Sequence, residues 1–385
     1  MTSRDLPRPI VDWFPLVPRS RPPAGSLTAR LAEIHRLARA PQPIEGAGLP
    51  TAEALNKAAL LASDHSMASL AADLCRRQLQ VFVDAAPLPP VLLKAALQPL
   101  VNLGRLATRA GDTARAYAIF TGLYDAARTR GTVSIEQTDV DFAELSDGHD
   151  ALRTAERFLW TVLLADGTRA LTQAGRWADA LDHVRRHNGI GQRLLDGRQV
   201  LILAHCATRN YREALGHLDA SLTQDPWEKA VAAVLRLLCL RTGNLPSEAA
   251  SAAATSAYLT LGTDRAHVVF RTRLGLSLLA LAPRGPAVRA VATRLVQDAR
   301  CHSDGRAVAM ALNDPYLRPH LTVDELDCLT HIAAEAGQAR DTLPLGLLAD
   351  LKTSADIAEN NLRYAIARLI TGHHHASGVP TNTSH

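Results

Sequence analysis

The chain has 385 residues and a balanced charge, with 42 basic and 38 acidic side chains and a formal net charge of +4. That charge is too mild to indicate nucleic-acid binding by itself. Apolar residues make up 47% of the chain. No stretch reaches the roughly 18 uninterrupted apolar residues of a membrane span, and the first residues lack a secretory signal. With five scattered cysteines and no CxxC spacing, the composition predicts a cytoplasmic protein with reduced thiols.

Residues 1–25 hold six prolines, which favour extended backbone over helix, so we predict a proline-rich N-terminal arm. Trp13, Phe14, Leu16 and Val17 make this arm too apolar for a solvated tail. Either the two aromatic side chains dock on the first helices and cap the fold, or the arm binds a partner. The cap is favoured because the end of a stack of helices must be covered.

Helical periodicity follows the arm. Apolar residues recur at three-and-four spacing in residues 26–40, 51–63, 67–85, 91–110 and 113–129. Only 4% of the residues are aromatic, which leaves the core to Leu, Ala and Val and favours helices. We therefore predict an all-α fold, with residues 26–302 in one continuous stack.

Residues 131–150 interrupt the helical periodicity and gather six carboxylates. Loops of this length are often functional or disordered. Asp139, Asp141 and Asp147 offer oxygen ligands to a hard cation, but their spacing matches no calcium loop. We predict a solvated acidic loop inserted into the stack; an alternative is that it folds over an arginine-lined groove, whose charge it complements.

A helical hairpin recurs between residues 161 and 261. The second helix of each copy follows a Gly or Asn turn, and the alignable residues Ala180, Ala214 and Ala249 are 34 and 35 residues apart. Periods of this length are typical of helical-pair repeats, whose units stack to bury their apolar faces.

These copies resemble the tetratricopeptide repeat family. That family has a small residue where the two helices cross, a bulky apolar residue four later and a proline twelve later, which here are Ala214, Leu218 and Pro226. Small residues matter because they let two helices approach closely. An upstream copy matches at Leu100, Leu103, Gly104, Ala116 and Phe120. The resemblance covers about residues 90–261 and implies an α-solenoid of stacked antiparallel helical hairpins.

In the resembled family, the first helices of successive repeats line a concave surface that binds a peptide or another helix. Carrying that register over to this chain gives the groove residues Gln98, Arg105, Arg169, Asp196 and Gln199. Arg105 and Arg169 take equivalent positions, and arginine there suits carboxylates or phosphates. The alternative is that the arginines are solvated or pair with acids such as Asp166 and Asp196.

The C-terminal residues 303–370 are predicted to form a separate helical unit. They loosely resemble the three-helix DNA-binding end of quorum-sensing-type regulators, which implies DNA contacts by Asn361, Arg363 and Arg368. The turn glycine of that pattern is absent here, so a capping hairpin is the favoured alternative. Residues 371–385 are predicted to be a disordered tail.

Signals for chemistry are weak. His183 and His187 lie four apart, the spacing of a two-histidine metal edge, but no further ligands accompany them, and we predict neither a metal nor a cofactor. The sequence has no nucleophile elbow, phosphate loop or Cys–His signature, and we predict no catalytic residue.

The sequence therefore favours a non-enzymatic interaction, sensor or regulatory scaffold that binds a peptide, a protein segment or a small anionic ligand in the groove of a helical-repeat solenoid. One alternative is a signal-responsive transcriptional regulator with C-terminal DNA contact. Another is an enzyme or accessory protein of a biosynthetic pathway. A protein partner is favoured over nucleic acid, and no membrane partner is expected. Homo-oligomers that form through an uncapped end of the stack are a further alternative.

Overall fold

A computed structural model describes residues 6–20, 24–41, 48–146, 148–281, 286–338 and 342–377, with the backbone alone at 286–287 and 372–377. Of the described residues, 75% are helical, and the strands among them form one two-stranded sheet. The prediction of an all-α fold is confirmed at this level. Among the described residues, no helix combines the length and the apolar character that crossing a membrane requires.

The elements follow one another as a long series of helices with one hairpin. In chain order they are α1 (Arg8–Trp13), α2 (Leu27–Ala38), α3 (Pro50–Asp64), α4 (Ala68–Val83), α5 (Pro90–Arg109), α6 (Thr113–Thr129), β1 (Thr132–Ile135), β2 (Thr138–Asp141), α7 (Phe142–Leu145), α8 (His149–Val162), α9 (Thr168–Gln173), α10 (Trp177–Arg186), α11 (Asp196–Ala207), α12 (Tyr211–Asp219), α13 (Pro226–Thr242), α14 (Glu248–Leu259), α15 (Val268–Leu281), α16 (Pro286–His302), α17 (Gly305–Asn313), α18 (Val323–Glu335) and α19 (Leu345–Ser377). A π-helical turn (Leu163–Gly167) joins α8 to α9.

Backbone proximity divides the chain into two compact units. Unit 1 comprises Met1–Leu27 with Gly167–Arg340, and unit 2 comprises Thr28–Asp166 with Asp341–His385. This division differs from the segments predicted from the sequence. The N-terminal arm belongs to unit 1, and the predicted stack of residues 26–302 is divided after Asp166.

Unit 1 is built from helices that pack against their neighbours in the sequence, including α10 on α11, α11 on α12 and α13 on α14. Ala180 and Ala214 are fully buried. In the third copy Ala250, at 9% exposure, faces the core, whereas Ala249 is exposed. The predicted position was therefore one residue early, because α14 begins only at Glu248, after a longer turn.

Unit 2 shows why a small residue is needed where two helices cross. A Cβ atom added to Gly104 on α5 would lie 2.5 Å from Cε1 of Phe120 on α6, which is 1% exposed. Any side chain at position 104 would therefore push α5 and α6 apart. α5 and α6 also pack on α8 in this unit.

The region predicted as an acidic loop is ordered where the structure describes it. β1 and β2 pair antiparallel, with Thr132 opposite Asp141 and Ile135 opposite Thr138. At the hairpin turn, the Glu136 carboxylate accepts from Arg76 Nη1 at 2.9 Å and from Arg115. The segment is thus a hairpin and not an irregular loop, and Glu136 pairs with arginines of α4 and α6, whereas Asp139, Glu144 and Asp150 are exposed. Asp147 lies outside the described residues.

The predicted C-terminal unit does not form as one body. α18 packs on α16 and α17 within unit 1, whereas α19 packs on α3 and α4 within unit 2. α19 continues to Ser377, so the first part of the predicted disordered tail is helical, and residues 378–385 lie outside the described part.

Candidate functional site

The N-terminal segment of unit 1 is part of its core. Phe14 and Leu16 have only 0% and 2% of their surface exposed, and Ile10 of α1 is 0% exposed in the same apolar cluster. Burying each such side chain stabilises the fold by about 2 kcal/mol. α1 packs on α9 and α15. The segment therefore docks on α9 and α15 and not on the first helices. The prediction of an arm without a helix was wrong for residues 8–13, because proline is tolerated in the first turn of α1.

Gln199 of α11 holds the main chain of Leu16 from both sides. Its Oε1 accepts the Leu16 N–H at 2.7 Å, and its Nε2 donates to the Leu16 carbonyl at 2.8 Å. Nε2 also donates to the Leu194 carbonyl at 2.8 Å. The Gln199 side chain is fully buried, so its carboxamide replaces water as the partner of buried main-chain groups.

Side chains of α9 bind the carbonyl groups that precede Leu16. Arg169 donates from Nη1 to the carbonyl of residue 13 at 3.2 Å and from Nη2 to that of residue 15 at 2.8 Å. Thr172 Oγ1 donates to the carbonyl of residue 14 at 3.2 Å, and Gln173 Nε2 to that of residue 12 at 3.4 Å. Four consecutive carbonyls are thus bound by one helix; those of residues 12 and 13 end α1, where the last carbonyls of a helix lack partners within it.

Asp196 adds an ion pair to this arrangement. Its Oδ2 accepts from Arg19 Nη2 at 2.6 Å, and the exposed fractions of the two side chains are 14% for Asp196 and 41% for Arg19. Burial raises the pKa of the Asp196 carboxyl, while the charges of Arg19 and Arg169 oppose that rise. Asp196 Oδ1 is buried and has no hydrogen-bond partner among the described residues.

Arg169, Asp196 and Gln199 are therefore brought together, and together they hold residues 12–19 of the chain itself. We call this arrangement the segment site. The sequence placed these three side chains in a groove for a foreign ligand. What it did not indicate is that the proline-rich arm supplies the main chain they bind.

Gln98 and Arg105 belong to unit 2 and have partners of their own there. Gln98 Nε2 donates to Asn102 Oδ1 at 3.1 Å on the same helix. Arg105 Nη2 lies 2.8 Å from Asp166 Oδ2, with exposed fractions of 49% and 20% for the two side chains. The alternative stated for the arginines, pairing with Asp166, is what the structure shows for Arg105.

The side chains predicted to contact DNA take part in packing α19 within unit 2. Asn361 Nδ2 donates to the Ala38 carbonyl at 2.9 Å, and Arg363 pairs with Asp84 at 2.9 Å and Glu359 at 3.1 Å. Arg368 lies over the Tyr364 ring, 5.9 Å from its centroid. Contacts by these residues with DNA stay a prediction, and all three already have intramolecular partners.

Of the two histidines predicted as a possible metal edge, one is buried and the other, His187, is half-buried. His183 is fully buried, and its ring centroid lies 4.8 Å from that of His187. Within the described part of the chain, no group of three or more His, Cys, Asp or Glu side chains is arranged to hold a metal ion.

An open cavity of about 550 Å³ lies between α6 and α8 of unit 2. One face of α8 forms most of its wall, because positions 150, 153, 154, 157 and 160 recur at helical spacing. The side chains that line the cavity are Tyr124, Asp150, Arg153, Thr154, Glu156, Arg157 and Trp160. We call it the α6–α8 pocket.

The arginines of the α6–α8 pocket differ from those named above. Arg153 and Arg157 are exposed, one helical turn apart, and neither forms an ion pair with a described carboxylate. Arg157 Nη2 donates only to Thr154 Oγ1 among the described residues, at 3.3 Å. Like charges four residues apart on a helix repel by a few tenths of a kcal/mol, and the carboxylates of Asp150 and Glu156 line the same cavity.

Two half-buried aromatic rings, Tyr124 and Trp160, flank these arginines. Guanidinium groups bind carboxylates or phosphates through two parallel hydrogen bonds, and aromatic rings offer flat apolar area next to them. Sequence reasoning missed this pocket. The available signal was the recurrence of Asp150, Arg153, Arg157 and Trp160 on one face of an amphipathic helix.

Comparison with known proteins adds no assignment: no family model, curated protein or solved structure matches the chain.

Proposed function

We propose that the chain is a non-enzymatic scaffold of stacked helical hairpins that acts by binding an acidic protein segment in the α6–α8 pocket. The carrying observation is the pair Arg153 and Arg157, which face a cavity of about 550 Å³ without a carboxylate partner among the described residues. The arginines bind the acidic group of the segment, and Tyr124 and Trp160 bind its apolar neighbour.

The segment site supports this proposal by showing that helices of this chain bind main-chain groups of another segment through their side chains. Gln199 binds the N–H and the carbonyl of Leu16, and Arg169 binds two further carbonyls. Main-chain contacts of this kind do not depend on the side chains of the peptide, whereas pockets beside them set specificity. The segment site itself is filled by the chain, whereas the α6–α8 pocket is open.

A binding assay tests the proposal. Fluorescently labelled peptides that combine a Glu or phosphoserine with an adjacent Leu or Phe are titrated with the full-length chain and followed by anisotropy. We expect binding that weakens with salt and falls at least about tenfold in the Arg153→Gln/Arg157→Gln variant. Matched peptides with Gln or Ser at the acidic position bind less tightly.

Arg105→Gln is the control, because Arg105 is an exposed arginine of the same unit that already pairs with Asp166. Its binding should equal that of the unmodified chain. If Arg105→Gln lost binding while the Arg153/Arg157 variant still bound the peptide, the binding site would instead be the groove predicted from the sequence. Equal binding of acidic and neutral peptides would remove the arginines from the proposal.

A further inference from the structure

Two cysteines in the core of unit 1 lie unusually close to each other. Cys206 of α11 and Cys239 of α13 are 1% and 0% exposed, and their Sγ atoms are 2.8 Å apart. Carbon atoms in optimal non-bonded contact are about 3.5–4.0 Å apart, and sulfur is the larger atom. The two sulfurs are thus closer than separate thiols pack, at a distance between non-bonded contact and the roughly 2.05 Å of a disulfide bond.

We propose that Cys206 and Cys239 are a modification site at which hydrogen peroxide forms an intramolecular disulfide. One sulfur attacks a peroxide oxygen, the O–O bond breaks, and a sulfenic acid and one water result. The second sulfur then attacks the sulfenic sulfur, the S–O bond breaks, and a second water leaves. Two thiols are oxidised and one peroxide is reduced, and the two S–H protons end in the two waters.

The surroundings of the pair determine how this reaction proceeds. Both sulfurs belong to the apolar cluster of unit 1, with Ile202, Val234 and Leu238 in the same cluster. The contact with Cys239 and burial both raise the pKa of the Cys206 thiol. Few thiolates form there, so oxidation is slow and waits for brief opening of the core, and the product is equally protected from reductants.

The bond would join the segment site to the next repeat. Cys206 lies on α11, the helix that carries Asp196 and Gln199, and the two cysteines are 33 positions apart with α12 between them. Closing this loop removes freedom from the unfolded chain and fixes α11 against α13. The contacts of Gln199 with Leu16 are therefore expected to open less often in the oxidised protein.

The other three cysteines provide internal controls. Cys75 is buried in unit 2, where burial raises its pKa to about 12, while Cys301 is exposed and Cys328 is half-buried. Among described residues none of the three has a sulfur neighbour. Peroxide is therefore expected to consume two thiols as a pair and to oxidise Cys301, if at all, without a cross-link.

The experiment treats native full-length protein with hydrogen peroxide for hours, quenches in acid, alkylates in denaturant and maps peptides without reduction. We expect a peptide pair joined through Cys206 and Cys239, a melting temperature raised by roughly 5 to 10 °C, and slower amide exchange at Leu16. A dithiol reductant, added under partly denaturing conditions, reverses all three effects.

Variants separate the pair from general oxidation. Cys301→Ser should leave the cross-link intact, and Cys206→Ala/Cys239→Ala should fold with no peroxide-dependent change in melting temperature. The proposal is overturned if all five thiols of the treated native protein are still alkylated, or if the cross-link joins other cysteines. Because these outcomes are measured on the unmodified sequence, they hold even if a cysteine variant fails to fold.

Discussion

The segment site of unit 1 and the α6–α8 pocket of unit 2 use the same residue types for opposite results. In the segment site, Arg169 binds main-chain carbonyls of the chain itself and Gln199 is fully buried. In the α6–α8 pocket, Arg153 and Arg157 are exposed and have no carboxylate partner among the described residues. An arginine on a helical repeat therefore indicates a ligand site only where the chain does not already supply its acceptors.

The segment site and the α6–α8 pocket differ in whether water reaches their polar groups. Around Leu16 the main-chain groups are excluded from solvent, so every donor and acceptor must be matched within the protein. Around Arg157 solvent reaches the guanidinium, which needs no protein partner to be stable. Substitutions should thus reduce stability at the segment site and reduce ligand binding at the α6–α8 pocket.

Replacing Gln199 by alanine is expected to have the largest effect. The change leaves the N–H and the carbonyl of Leu16 and the carbonyl of Leu194 without a partner in the core, at a cost of about 3 kcal/mol. The matched control is Gln98→Ala, whose glutamine makes one contact within its own helix; it should change stability by less than about 0.5 kcal/mol.

Urea unfolding measures the stability of the two variants, Gln199→Ala and Gln98→Ala, and amide exchange at Leu16 measures local opening of the segment. In Gln199→Ala the Leu16 amide should exchange faster even at low denaturant, because its acceptor is gone. Equal midpoints for the two variants would mean that the segment is held by its apolar side chains alone.

The same substitution at two arginines tests the comparison directly. Arg169→Gln releases carbonyls of residues 13 and 15, at a cost of about 2 kcal/mol. Arg157→Gln removes an exposed guanidinium whose described partner is one hydroxyl, and the change should stay within about 0.5 kcal/mol. Thermal unfolding distinguishes them, and an equal loss in both would contradict the separation of a structural from a binding arginine.

Much of the helical architecture follows from local sequence. The period of Ala180 and Ala214 reflects the packing of adjacent helices, which depends on residues near in the chain, and both are fully buried. Ala249 shows the limit of this reasoning, since one residue more in a turn moves the buried position to Ala250. Helical periodicity fixes a face only once the start of the helix is known.

The segment site shows what local sequence cannot determine. Leu16 and Gln199 are 183 positions apart, and no periodicity links a proline-rich arm to a glutamine on a distant helix. The register carried over from the resembled family nevertheless named Arg169, Asp196 and Gln199 together, and all three contact residues 12–19. The identity of the segment they bind depended on the path of the chain. The pairing of Arg105 with Asp166 likewise depended on where the π-helical turn that contains Asp166 lies.

Asp196→Asn is expected to have the smallest effect on the free energy of unfolding. The pH dependence of that effect shows whether the Asp196 charge stabilises or destabilises the fold. Burial raises the pKa of Asp196 above its unfolded value, although Arg19 and Arg169 oppose that rise. A carboxyl with a raised folded pKa contributes stability that is fully present below its unfolded pKa and is lost as the pH rises through the folded pKa.

The uncharged Asp196→Asn variant lacks this loss, while the carbonyl oxygen of its new side chain still accepts from Arg19. It should therefore match or exceed the unmodified chain at pH 7, by less than about 1 kcal/mol, and its advantage should shrink as the pH falls toward 4. Unfolding free energies measured between pH 4 and pH 7 give the slope. A variant that is less stable at pH 7 and recovers on acidification would show that attraction to Arg19 outweighs burial. Asp196 would then be a net anchor of the segment, and not a charge tolerated beside Arg169.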